Sequence, residues 1–142
     1  MGATQYHDEV TALLNAIPNL GGRVHDTYAP DTLPEDSLGY VLPYVIVGSG
    51  VVTDLELERD LTGRADTTVH DWRAQINCVG PTPNHARLVA EDVIAALTNA
   101  RVGNHWILPD NDAMRARVPV KDDEVKPPRF FLPLFWRLTT TT

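Results

Sequence analysis

The hydrophobic pattern of this chain changes period once, sharply, between Thr67 and Asn99. In the first half, Trp72, Ala74, Ile76 and Cys78 alternate with Arg73, Gln75 and Asn77. Alternation of that kind reads as a strand with one buried side. In the second half, Ala86, Val89, Ala90, Val93, Ile94 and Leu97 recur at the spacing of one helical stripe. Gly80-Pro81-Thr82-Pro83 separates the two. Thr82 suits an N-cap and Pro83 the first helical position. The stretch therefore predicts a strand, a tight turn and a helix folding back onto the strand. Trp72, Ile76 and Cys78 should lie beneath Val89, Val93 and Leu97 as the packed centre of the domain.

The flanking segments add elements of both kinds. Tyr6, Val10, Leu13, Leu14 and Ile17 form an apolar stripe, so a helix is expected over residues 4–17, with Asp8 and Glu9 near its positive end and Pro18 and Gly21-Gly22 closing it. Arg23 to Tyr28 reads as a short strand with Val24 inward, and 29–39 as a polar, proline-bearing surface loop. The run P-Y-V-I-V-G (43–48) reads as a strand in the sheet centre, broken by Gly48-Ser49-Gly50. Residues 44–79 as a whole suggest antiparallel strands joined by a charged arm or hairpin at 54–66. After the second helix, Arg101 to Asn104 reads as its stop and His105 to Leu108 as a short strand. Lys121 to Arg129 reads as a charged loop and a candidate for disorder. Phe130 to Thr139 reads as the closing strand, placed at an edge or bulged because Pro133 lacks a ladder donor. The expected fold class is α+β: one domain over 1–142, a mostly antiparallel twisted sheet, two helices on one face and an extended charged hairpin. Flexible segments are expected near 29–39, 58–66, 121–129 and 140–142.

Bulk properties narrow the function classes. At 142 residues, 43% hydrophobic and 22% charged, the chain has the composition of one globular domain. Its net charge is −7 and its pI about 5.0, with no Lys/Arg cluster, so direct duplex binding is not expected. The single cysteine, Cys78, has no partner for an internal disulfide and falls in a strand pattern, where it reads as a small buried residue. No basic-then-apolar N-terminal segment is present, so no signal peptide is expected. The apolar runs are too short to span a bilayer.

The chemistry-bearing residues form no recognised local motif. Asp110-Asn111-Asp112 resembles a piece of a calcium loop but lacks its glycine and distant glutamate. The five histidines, His7, His25, His70, His85 and His105, show no helical i, i+4 pair and no cysteine partners, so no metal site is expected. Ser49 lies directly between two glycines, whereas a nucleophile elbow needs one residue between each glycine and the serine. It also lacks the lysine and following helix of a phosphate loop. The closing strand is unusual in another way. Phe130, Leu132, Leu134, Trp136 and Leu138 alternate with Phe131, Pro133, Phe135 and Arg137, so both faces carry aromatics. Either the chain's own loops or another subunit should cover the second face.

Residues W-R-A-Q-I-N-C-V-G (72–80), T-P-N-H-A-R-L-V-A-E-D-V-I-A-A-L (82–97) and F-F-L-P-L-F-W-R-L (130–138), in this order after a Pro/Gly-terminated helix and P-Y-V-I-V-G, resemble the tail terminator (tail completion, minor tail) proteins of long non-contractile-tailed bacteriophages of actinobacterial hosts. The resemblance covers most of the chain and rests on structural pattern. It implies a non-catalytic virion protein without cofactors or metal. Such proteins form a six-membered ring at the head-proximal end of the tail tube, assembled in the host cytoplasm. The ring ends tube polymerisation and docks the head–tail connector, with DNA passing through its channel without specific binding and no membrane involved. Partner contacts would then be expected on Asp54, Glu56, Glu58, Arg59, Asp60 and Arg64 of the arm and on Phe131, Phe135 and Arg137 of the closing strand. A head-to-tail connector or neck protein of the same virion is the alternative. A small metal-dependent hydrolase using the histidines and aspartates and a host-side binding module are more distant readings.

Overall fold

A computed structural model describes residues 2–54, 69–110 and 117–141. Most of the arm, with Glu56, Glu58, Arg59, Asp60 and Arg64, lies outside the described residues, and so does the expected charged hairpin.

The chain opens with α1 (Ala3–Asn15), which buries Tyr6, Val10 and Leu14. Its first turn carries no acidic residue. Asp8 and Glu9 sit too far along the helix to meet its positive end, and Glu9 instead accepts a hydrogen bond from the Gly103 N–H at 2.6 Å. A 3-10 turn (Pro18–Leu20) leads to β1 (Val24–Asp26). A long loop follows, then β2 (Tyr44–Ser49) and β3 (Thr53–Asp54). Gly48 and Ser49 thus continue β2 rather than break it. Next come β4 (Val69–Gly80) and α2 (Pro83–Leu97), with the Thr82 hydroxyl accepting from the His85 N–H at 3.2 Å as the N-cap.

Helix α2 ends on Asn99 in the left-handed region, and Arg101 to Asn104 is then not part of its stop. These residues open a hairpin of β5 (Arg101–Val102) and β6 (His105–Trp106). Gly103 and Asn104 both have positive φ, the turn geometry whose twist matches paired strands. Strands β7 (Leu108–Pro109), β8 (Val120–Asp122) and β9 (Arg129–Thr141) complete the chain.

The main sheet runs β1-β2-β4-β9-β7, with β3 also on β4 and β8 also on β9. Only β1 against β2 is parallel among the described pairs. The fold is therefore α+β, a mixed and mostly antiparallel sheet with two helices. β9 is an interior strand, not an edge. Asp110 N–H donates to Phe135 C=O, so the odd-numbered residues of β9 turn their backbone groups toward β7 and β8. Pro133 therefore faces the interval between the segments that pair with β8 and with β7, and its missing N–H removes no bond to β4. The 121–129 segment is in part strand β8, paired with Phe130 and its neighbours.

One core lies between the sheet and the helices. Trp72, Ile76, Cys78, Val89, Val93 and Leu97 are all buried in it, with Val45, Val47, Leu134, Trp136 and Leu138. Gly80 sits where β4 passes under the start of α2. A Cβ there would lie 2.6 Å from the His85 Cβ and 3.0 Å from the Ala86 nitrogen, so the turn closes only around glycine. The opposite sheet face holds a smaller cluster. Leu33 and Val41 from the 27–43 loop pack on Tyr44, Ile46, Val79 and Phe131. Among the described residues, no helix is long and apolar enough to cross a membrane.

Candidate functional site

Strand register turns the second sheet face into a ladder of rows. Tyr44, Val79 and Phe131 form the first, and Ile46, Asn77 and Pro133 the second. Gly48, Gln75 and Phe135 form the third, and Arg73 and Arg137 the fourth. The face therefore grades from apolar to charged along the strands. Phe131, an expected interface residue, sits in the row that the chain's own loop covers. Phe135 stands beyond that loop, with the Arg117 guanidinium 4.8 Å from its ring centre, a cation–π contact. A cavity of about 180 Å³ opens between Ile46, Asn77, Val79 and Phe131, bounded by Asp122 and Arg129.

The charged end is organised by Asp71. Arg73 Nε donates to Asp71 Oδ2 at 2.8 Å, and its Nη1 lies 3.6 Å from Asp110 Oδ2. The hydrogen bond and charge of Asp71, reinforced by Asp110, hold the Arg73 guanidinium pKa above its ordinary value. This relieves the like-charge pairing of Arg73 directly across from Arg137. Arg137 Nη2 reaches Thr139 Oγ1 at 3.5 Å. The Asp71 side chain is almost entirely buried, with Oδ1 unpartnered. Asp71 is in register with Thr53 of β3, whose hydroxyl donates to the Asp71 carbonyl at 3.3 Å.

Further apolar surface lies at both sheet edges. Next to β1, the loop exposes Tyr28 (80%). Beyond β9, Trp106 (49%), Leu108 (54%) and Val118 (65%) are exposed, with Arg101 stacked 4.3 Å from the Trp106 ring centre. No sequence motif marks these residues. Their exposure depends on which elements end at the sheet margins.

Among the described residues, no group of three His, Cys, Asp or Glu is placed to hold a metal ion. Burial pushes the Cys78 thiol pKa well up, which leaves it an inert core side chain. His85 Nδ1 meets Thr82 Oγ1 at 2.6 Å, and His105 Nδ1 meets the Gly103 carbonyl at 2.9 Å, both local ties. His7 differs. Its two ring nitrogens face Ser49 and Asp26, which come from two other elements. The 42-residue separation from Ser49 hides that contact from any local pattern.

No family model matches the chain, and no curated protein matches it. Among solved structures, one chain with an uninformative name is 18% identical, covers 98% of this chain and 89% of its own, and superposes with a TM-score of 0.41. That superposition is too loose to transfer fold or function.

Proposed function

We propose that the protein is a ring-forming virion subunit of the tail-terminator kind. It would cap the head-proximal end of a phage tail tube, end its polymerisation and dock the head–tail connector. The observation that carries this reading is the pair of unlike apolar patches at opposite sheet edges, Tyr28 directly after β1, and Trp106, Leu108 and Val118 beyond β9. A ring with cyclic symmetry needs a heterologous contact, in which one patch meets a different patch on the neighbour. The open part of the second face, with Phe135 and Arg137, is the surface left for the tube and connector, and the charged segment 54–66 is proposed as a further contact on its sequence alone. The net charge of −7 supports a channel through which DNA slides, because like charge disfavours adsorption.

Native mass spectrometry of the full chain, alone and with tail-tube protein, tests the ring. Tyr28→Glu and Trp106→Glu should each abolish rings. An equimolar mixture of the two variants should stop at heterodimers, because it retains one intact interface. A protein that stays monomeric in the presence of tubes overturns the reading. Cryo-EM position in the virion separates it from the connector alternative. Deletion of 55–64 tests the arm, and undiminished assembly would remove the arm from the contact.

A further inference from the structure

At one end of the sheet, α1 crosses the ends of β1 and β2. There His7 Nδ1 lies 2.7 Å from Ser49 Oγ, and His7 Nε2 lies 3.4 Å from Asp26 Oδ1. Thr27 Oγ1 donates to the same carboxylate oxygen at 2.8 Å. The His7 side chain is 14% exposed and that of Asp26 71%. The turn presenting Asp26 is strained. Thr27, a β-branched residue, has φ +63°, a region such residues rarely enter. It is held there by Thr27 N–H bonded to the Val47 carbonyl at 2.9 Å. Strain of this kind concentrates at functional sites. The three side chains line a cleft of about 370 Å³ that also takes in Thr4, Asp8 and Gly50. A Cβ on Gly50 would meet nothing within 4 Å, so the cleft reaches the backbone beside Ser49.

We propose that Ser49 is a nucleophile activated by His7, with Asp26 as a positioning residue, and that the cleft accepts small neutral or cationic esters. With Nε2–H assigned toward the carboxylate, the Nδ1 lone pair faces the serine hydroxyl. This serves the nucleophile–base–orienter logic of hydrolytic triads with the two ring nitrogens exchanged. Ser49 Oγ attacks the ester carbonyl carbon as its proton passes to His7 Nδ1. The tetrahedral adduct then expels the alcohol, which takes that proton. Water next gives a proton to Nδ1 and attacks the acyl carbon, and Ser49 leaves and recovers the proton. Ester and water become acid and alcohol. Asp26, beside Nε2, steadies the imidazolium by its position. Asp8 and Asp26, with no Lys or Arg lining the cleft among the described residues, disfavour anionic substrates. The Gly50 N–H is held by a long 3.4 Å bond to the Arg73 carbonyl, and a single such donor beside the nucleophile points to slow turnover of activated esters.

The test uses the full chain with a biotinylated fluorophosphonate and with p-nitrophenyl acetate, read by peptide mass spectrometry and by p-nitrophenolate release. The adduct should fall on Ser49 and disappear in guanidinium-unfolded protein. Ser49→Ala should abolish it, and His7→Gln should slow it by about a hundredfold and remove its pH dependence. Asp26→Asn should slow it about tenfold, with recovery in Asp26→Glu. Absence of a Ser49 adduct under conditions that label chymotrypsin overturns the proposal. So does a His7→Gln protein with a native circular dichroism spectrum that labels at the wild-type rate, which would reduce the contact to a tie between helix and strand. The outcome is independent of ring assembly.

Discussion

The two faces of the sheet use the same three strands and solve burial differently. On the helix side, the rows Val45-Cys78-Leu132 and Val47-Ile76-Leu134 are apolar across every strand, and two helices cover them. On the other side, the rows fade from Tyr44-Val79-Phe131 to Arg73-Arg137, and only the apolar end is covered, by a loop. A helix brings a continuous stripe of side chains every turn, whereas a loop supplies a few anchors, here Leu33 and Val41. Aromatics on both faces of β9 therefore do not by themselves require a partner. Phe131 is explained within the chain. Phe135 and the edge residues Trp106, Leu108 and Tyr28 are what remain for one.

The largest expected contrast sets one face against the other. Trp72→Ala should destabilise by about 3–5 kcal/mol in urea unfolding, against less than about 1 kcal/mol for Phe135→Ala. Equal losses would break the asymmetry. Gly80→Ala should come next, at about 2 kcal/mol or more, because its methyl would meet the Ala86 backbone nitrogen and the His85 Cβ rather than a flexible side-chain tip. Leu33→Ala should destabilise by about 2 kcal/mol if the loop is a true cover. Wild-type stability in that variant would mark the loop as an onlooker and return Phe131 to the interface.

The smallest effect is one of pH. His25 lies on the loop-covered side, in register with Ile46, its ring edge-on to Tyr44 at 5.6 Å and its Nε2 buried without a partner. Burial lowers its pKa below the ordinary histidine value of 6.5. As pH falls through 6.5 the unfolded chain takes up the proton first. Stability is then fully present above that pH and is lost below it, until the folded ring protonates too. The loss should appear as a lower melting temperature at pH 5 than at pH 7.5, the smallest of these effects, and His25→Phe should abolish it in paired thermal melts.

Local patterns carried much of the fold. The alternation at 72–78, the stripe at 86–97 and the Thr82 cap each report which side of one element is apolar, and a strand and a helix stand there. Pairing was not readable in the same way. Pro133 suggested an edge, yet β9 is interior, because the cost of proline depends on which side its backbone faces and not on the strand's place in the sheet. Gly103-Asn104 resembled a helix stop because a left-handed turn serves a hairpin equally well. The 29–39 loop looked like solvent-facing punctuation, and Leu33 became an anchor only once β2, β4 and β9 offered a surface.

By itself the sequence determined the element types, the helix-facing core and the absence of a local catalytic or metal motif, because period and capping act within a few residues. The tertiary structure decided the interior place of β9 and the self-cover of Phe131. It also decided the exposed edges and the meeting of His7, Ser49 and Asp26. Those depend on register and on contacts across tens of residues, which no short-range pattern encodes.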